Sequence, residues 1–194
     1  MDWLLNFDYS TFRAIHVGLH EPWLDPVFWV ITCTGLGWVE TLLSFFLLAS
    51  KSTRPYLVPL WASMFVSGFI VADGTKSLLH RERPSNLIYA HPQESIYFSS
   101  YPSGHTSLAF GAAFMLLFLT WGTPRAIWGR LAVVWAVLVG VSRVYRGVHW
   151  PTDALAGMFV GLFSASAVYW ATTRFGSGRG PDRPSLDTVG RTVG

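Results

Sequence analysis

Residues 105–121 read HTSLAFGAAFMLLFLTW, and residues 126–142 read AIWGRLAVVWAVLVGVS. Each is close to the ~20 residues that a helix needs to cross a bilayer, allowing a turn at each end. Three more apolar runs lie at about 27–49, 57–72 and 154–171, rich in Leu, Val, Phe, Gly and Ala, often with Trp near their ends. A buried helix of a water-soluble protein can supply one such run, but not five in 194 residues. The expected fold is all-α: a polytopic membrane helix bundle with five or six membrane helices and an N-terminal amphipathic segment. The count stays open because Gly35-Leu36-Gly37 interrupts the first run, which also carries Glu40. That run reads as one span or as a short interfacial helix plus a span.

Composition agrees. Only 13% of residues are charged and 51% are hydrophobic, against roughly a quarter charged in an ordinary soluble domain. The single cysteine, Cys33, excludes an intramolecular disulfide and a multi-cysteine zinc site. The net charge is only +3 with no Lys/Arg-rich run, which argues against nucleic acid as a partner. One membrane domain is expected over 1–175. Within it, 1–22 mixes Trp3, Leu4, Leu5, Phe7, Phe12, Ile15 and Leu19 with Asp2, Asp8, Arg13 and His16, and reads as an amphipathic helix on the membrane surface. It lacks the basic start and cleavage site of a signal peptide. Residues 176–194 are too polar to bury a core and are expected to be disordered. Gly157 and Gly161 allow a close helix approach, inside the monomer or across a dimer.

Five spans would place Lys51, Arg54, Arg125, Arg130, Arg174, Arg179, Arg183 and Arg191 on one side. The other side holds six cations, of which Lys76, Arg83 and Arg143 belong to the candidate site below. Excluding those three leaves eight against three, so the basic side is cytoplasmic. The expected location is the cytoplasmic (inner) membrane, with the site on the extracytoplasmic face.

Three polar clusters stand where spans meet that face. The first, residues 76–84, contains Lys76 and Arg83 seven positions apart; on a helix both would project from one face, with Pro84 ending it. Alone, it also reads as snorkelling cations at a helix end. The second, residues 101–106, puts Ser103, Gly104 and His105 at a helix start, where free N–H groups and the helix dipole favour an anion; it is also an ordinary helix start. The third runs from Ser142 through Arg143, Arg146 and His149 to Asp153. If Pro151 opens the last helix, Asp153 reaches back to His149, and a carboxylate on one imidazole nitrogen makes the other a better base or nucleophile. A capping Asp beside an interfacial His is the alternative. Connectivity favours function: the clusters end the second span, begin the third and join the fourth to the fifth, so all lie on one face. Ionisable groups near a bilayer are costly and usually functional. Three cations, a helix N-terminus and two imidazoles suit a phosphoryl group.

Lys-x6-Arg-Pro, Pro-Ser-Gly-His and Ser-Arg-x5-His-x3-Asp, in that order, resemble the signature of the type 2 phosphatidic acid phosphatases over about residues 57–171. That superfamily also includes glucose-6-phosphatase, bacterial undecaprenyl pyrophosphate phosphatases, phosphatidylglycerophosphatases and the soluble vanadium haloperoxidases. Arg146 departs from the usual pattern; it is read as an extra cation near the headgroup or as a contact to lipid phosphate. The resemblance implies that Lys76, Arg83 and Arg143 hold phosphate oxygens, aided by Ser103 and the Gly104 amide. His149 would be the nucleophile, oriented by Asp153 and forming a phosphohistidine, and His105 would protonate the leaving oxygen and then activate water. Three fixed cations can replace metal ions at the equatorial oxygens, so no metal or other cofactor is expected. No obligatory protein partner is evident.

The implied substrate is a lipid phosphate at the bilayer surface: undecaprenyl pyrophosphate, phosphatidic acid or phosphatidylglycerol phosphate, the first favoured by the small size and short loops. A phosphatase of soluble monoesters and an inactive lipid-binding membrane protein are the alternatives; a haloperoxidase stands further off, its relatives being soluble. Glu40 and Asp73, in or beside apolar runs, are candidates to bond a site cation or a neighbouring helix. His16, His20, His80 and His91 match no motif position and are read as interfacial or loop residues. Tyr97, Phe98 and Tyr101, in the loop between two motifs, are read as shaping a headgroup entrance or anchoring the interface.

Overall fold

A computed structural model describes residues 2–94 and 98–175. The expected tail at 176–194, and Tyr97, lie outside the described residues. Those described are helical, with no strand. Helix α1 (Asp2–Phe12) runs on through a π-helical turn, Arg13–Val17. Helices α2 (Leu24–Thr34) and α3 (Gly37–Ser44, continued to Ala49) meet at a 71° bend. The bend falls at Gly35-Leu36, where the sequence is interrupted.

Residues Arg54–Leu78 form one 25-residue helix, with α4 (Leu57–Phe65) and α5 (Gly74–Leu78) joined by π-helical turns at Val66–Asp73. Helices α6 (Gly104–Thr120), α7 (Ala126–Tyr145) and α8 (Pro151–Phe175) complete the chain. Arg54–Leu78, α7 and α8 are each long and apolar enough to cross a membrane; α2 and α3 pass that test together, and α6 is shorter, with 17 residues. Phe46, Phe65, Phe69, Trp128 and Phe163 point outward and stay exposed, which suits a lipid surround.

Helix α6 stands in the middle. Ala109, Phe110 and Ala113 pack with Ile31, Ala136 and Val139 of α2 and α7, while Met115 packs with Leu60, Met64 and Ala165 of α4 and α8. In lipid, burying apolar side chains gains little, so close approach and hydrogen bonds must hold helices together. Small residues supply the approach: a Cβ on Gly161 would fall 2.6 Å from the Gly111 amide nitrogen, and one on Gly111 would fall 2.4 Å from Ser67 Oγ. The Gly157/Gly161 pair therefore packs inside the monomer, against α6. Ser63 Oγ donates to the Gly111 carbonyl at 2.8 Å across the same seam.

Two expectations change. The helix carrying Lys76 ends at Leu78, and Arg83 is extended (φ −84°, ψ 151°). The seven-residue spacing is therefore not a helical repeat; Pro84 restricts its predecessor to extended backbone, and the chain leaves the helix a turn earlier. The N-terminal segment is also more than a surface helix. Phe12 is fully buried with Val144 and Trp150, and Asp8 and His16 face inward. His16 Nδ1 bonds the Tyr145 carbonyl at 2.7 Å, and its Nε2 accepts the His91 amide at 2.9 Å, so His16 is a buried strut and not an interfacial residue.

Candidate active site

The end of α5, the extended stretch behind it, the start of α6, the end of α7 and the start of α8 meet in one place. Ser103 is fully buried, and its amide donates to the Asp153 carbonyl at 3.1 Å, tying the start of α6 to that of α8. Lys76 closes over the α6 N-terminus: a Cβ on Gly104 would fall 2.9 Å from Lys76 Nζ, so a larger residue here would push the ammonium aside. Asp73 Oδ1 sits 3.3 Å from Lys76 Nζ, an acid bonded to a site cation. Glu40 does not do the same; its Oε2 is buried without a hydrogen-bond partner.

Arg83 is held by carbonyls. Its Nε donates to Phe98 at 2.8 Å, Nη1 to Val148 at 2.6 Å and Nη2 to Ser99 at 3.0 Å. Nη1 also stands 3.3 Å from His149 Nε2. Burial and the nearby Arg143 lower the Arg83 pKa to about 10, so it remains a cation near neutrality. Since a guanidinium only donates, the His149 nitrogen facing it is an acceptor, and the ring proton belongs on Nδ1. His149 Nδ1 lies 3.5 Å from Asp153 Oδ2, too long for a formed hydrogen bond, and has no other partner. Burial, Arg143 and Arg83 push the His149 pKa down to about 4, against the opposing pull of Asp153. The imidazole is therefore neutral at physiological pH, with its Nε2 lone pair turned towards the Arg83 guanidinium.

Arg143 is fully buried. Its Nη1 donates to Thr32 Oγ1 at 2.6 Å, and Nη1 and Nη2 fork onto Glu94 Oε1 and Oε2 at 2.9 Å each. Arg146 shares that carboxylate through Nε at 2.7 Å and is braced by the Gln93 side chain at 2.8 Å. It pairs with protein groups here and is not a free cation. Gly147, at φ +74°, turns the chain between Arg146 and His149, and a Cβ there would strike His16 at 2.8 Å. The turn lets the Arg143 carbonyl accept the Val148 and His149 amides, at 3.3 Å each. His105 lies within Coulombic reach of Lys76, Arg143 and His149.

Lys76, Arg83, Ser103, Gly104, His105, Arg143, His149 and Asp153, expected from the three clusters and the family resemblance, thus lie near one another. Sequence reasoning missed Asp8, Arg81 and Glu94. Arg81 bridges Asp8 and Asp153, and Asp8 also accepts from Thr152. A signal for Glu94 existed: it is the sole acidic residue between Glu82 and Asp153. Among the described residues no group of three or more His, Cys, Asp or Glu stands together as a metal site.

A helical bundle of membrane-crossing length with arginines and imidazoles gathered at a helix N-terminus defines a membrane protein with a cation-rich cluster at one end of its bundle. The chain belongs to the PAP2 superfamily, whose model matches residues 56–177. It is 37% identical over 119 residues to an undecaprenyl-diphosphatase of Sulfolobus acidocaldarius, covering 59% of this chain and 54% of that protein. The chain thus spans about half the length of that relative, and less of some others. Phosphatidylglycerophosphatase B of Bacillus subtilis is 33% identical over 165 residues, 74% of this chain and 73% of that protein. The fold is similar to the crystal structure of Aquifex aeolicus LpxE, with TM-score 0.73 and 26% identity over 84% of this chain and 94% of that one.

Proposed function

We propose that the protein is a metal-independent phosphatase of membrane lipid phosphates or pyrophosphates, acting through a phosphohistidine on His149. The observation that carries the reading is the pairing of His149 Nε2 with Arg83 Nη1 at 3.3 Å. It sets a neutral imidazole lone pair beside a cation, at the N-terminus of α6. His149 Nε2 attacks phosphorus while the bond to the leaving oxygen breaks, and His105 gives that oxygen a proton. Water, losing its proton to His105, then attacks phosphorus and breaks the P–N bond, releasing phosphate. Lys76, Arg83 and Arg143, with Ser103 and the Gly104 amide, take the charge on the equatorial oxygens. Asp153 Oδ2, 3.5 Å from Nδ1, closes on the Nδ1 proton as the ring gains charge and so steadies it. The Glu94 carboxylate stands where Arg143 would fork onto phosphate, so substrate binding displaces it.

The substrate enters laterally, with its chain in the bilayer and its headgroup at the interface. Undecaprenyl pyrophosphate, phosphatidic acid and phosphatidylglycerol phosphate fit, and the named relatives act on substrates of this kind. With five spans, the eight-to-three cation asymmetry supports a cytoplasmic-membrane orientation that puts the site on the outer face. Phosphate release from these three lipids in detergent, with His149→Ala alongside, tests the reading. Wild-type turnover that survives EDTA, is blocked by vanadate and disappears in the folded variant is expected. Near-normal turnover by His149→Ala would remove the nucleophile assignment, and a strict need for divalent metal would remove the metal-independent one.

A further inference from the structure

Asp8 lies outside residues 56–177, which the family model matches, and no step above uses it. It is nevertheless 1% exposed, and a buried carboxylate is costly unless fully partnered. Its Oδ1 accepts the Thr152 amide at 2.9 Å; its Oδ2 accepts the Thr152 hydroxyl at 2.6 Å and Arg81 Nη2. Arg81 turns its other terminal nitrogen to Thr152 Oγ1 at 2.7 Å and to Asp153 Oδ1. Asp153 Oδ2, the oxygen that Arg81 leaves, accepts the Trp150 amide at 2.9 Å and faces His149 Nδ1. The carboxylate behind the nucleophile is thus one end of a chain that reaches the N-terminal helix.

Resting on the phosphohistidine reading, we propose that Asp8 is a positioning residue: by sharing the Arg81 guanidinium with Asp153, it sets the negative charge that Asp153 presents to His149. Without Asp8, Arg81 and Asp153 form a neutral pair, and Asp153 becomes a poor acceptor for the Nδ1 proton. With Asp8, the trio carries one net negative charge and Oδ2 stays available. Helix α1 is fixed well enough for this role, because Phe12 and His16 anchor it against Val144, Tyr145 and Trp150.

The charges facing His149 are Asp153 on α8, Arg143 on α7 and Arg83 on the extended stretch, with His105 nearby on α6. Among the described residues, Arg81 pairs with the carboxylates of Asp8 and Asp153 alone. Changing one member of the trio therefore alters the field at His149 with a definite sign, since a carboxylate raises an imidazole pKa and a cation lowers it.

The test uses the full chain in detergent with a long-chain lipid phosphate. Asp8→Asn is expected to lower kcat about tenfold, the usual scale for a partner behind a site residue. KM and vanadate inhibition stay near wild type, and the acid limb of the kcat/KM profile moves to lower pH. Arg81→Gln moves that limb to higher pH, and Asp8→Glu restores most of the lost kcat. Opposite displacements distinguish tuning from a packing role, which would depress both variants without moving the limbs apart. Wild-type kcat with an unmoved limb in Asp8→Asn, or limbs displaced in the same direction, would overturn the proposal. If Asp8→Asn does not fold, Arg81→Gln carries the sign alone, and an acid limb that stays in place or moves to lower pH in it would overturn the proposal. An inactive wild type would instead sink the phosphatase reading itself.

Discussion

Two arginine–carboxylate assemblies flank His149, and their charge ratios are opposite. On the α7 side one carboxylate, Glu94, serves two guanidiniums, Arg143 and Arg146. On the α8 side one guanidinium, Arg81, serves two carboxylates, Asp153 and Asp8. Both use charge-assisted hydrogen bonds, the strong kind, yet one keeps a spare positive charge and the other a spare negative one. The surplus sets what each can receive. The first has room for an anion, as a transferred phosphoryl group requires; the second has room for a proton on the neighbouring imidazole. Burial alone would raise the Glu94 pKa, but the field and hydrogen bonds of Arg143 and Arg146 outweigh it and hold it at about 2. Glu94 is thus ionised at working pH and, in the proposed mechanism, would compete with phosphate as an anion.

Breaking each half separately gives the largest expected effects. Arg143→Ala removes the fork proposed to meet phosphate and is expected to lower kcat/KM by about 10³-fold or more, with vanadate inhibition lost as well. Asp153→Asn is expected to lower kcat on a similar scale, by analogy with the ~10⁴-fold loss when the aspartate of a serine-protease triad is replaced. It should keep vanadate inhibition, because the cations stay in place. If both variants lose vanadate equally, the two assemblies are not separate in function.

Glu94→Gln sharpens the comparison with a smaller change of opposite sign. Without the competing charge, vanadate should bind about five- to tenfold more tightly, worth roughly 1 kcal/mol. Weaker binding would show that Glu94 only positions Arg143. The variant also has a pH signature. Because the Glu94 pKa falls from an ordinary 4.5 to about 2 on folding, its pairing stabilises the protein fully above 4.5. That contribution fades as pH falls through 4.5 towards 2, as the unfolded chain takes up the proton first. Thermal melting between pH 6 and pH 3 should therefore decline less steeply in Glu94→Gln.

Hydrophobic runs and motif order made the bundle and the gathering of eight candidate residues legible in the sequence, because bilayer thickness sets a length and alternate crossing sets a face. Connectivity, and not the expected helical repeat, brings Arg83 beside His149. The carboxylates were harder to read. Asp8 lies among apolar and aromatic residues that resemble an interfacial helix, and its inward orientation depends on Phe12 packing beside Trp150. Glu94 belongs to a loop without periodicity, so nothing in spacing ties it to Arg143, 49 positions away. Partners that neutralise a site cation across a long loop are set by tertiary packing, which a pattern along the chain does not encode.

Arg146 is where the comparison makes its finest distinction. As a direct phosphate ligand it would act whether or not Glu94 were charged. Its Nε, however, is committed to Glu94, and its terminal nitrogens reach Gln93, so its effect on phosphate should pass through Glu94. Arg146→Gln leaves the whole Glu94 charge on Arg143 and is expected to weaken vanadate inhibition only about two- to threefold, or roughly half a kcal/mol. The decisive measurement is the double variant with Glu94→Gln. Removal of Arg146 should then cost almost nothing, giving a coupling energy close to the whole single-variant effect. A loss that persists unchanged would make Arg146 a phosphate ligand in its own right and would leave the α7 assembly without its second cation.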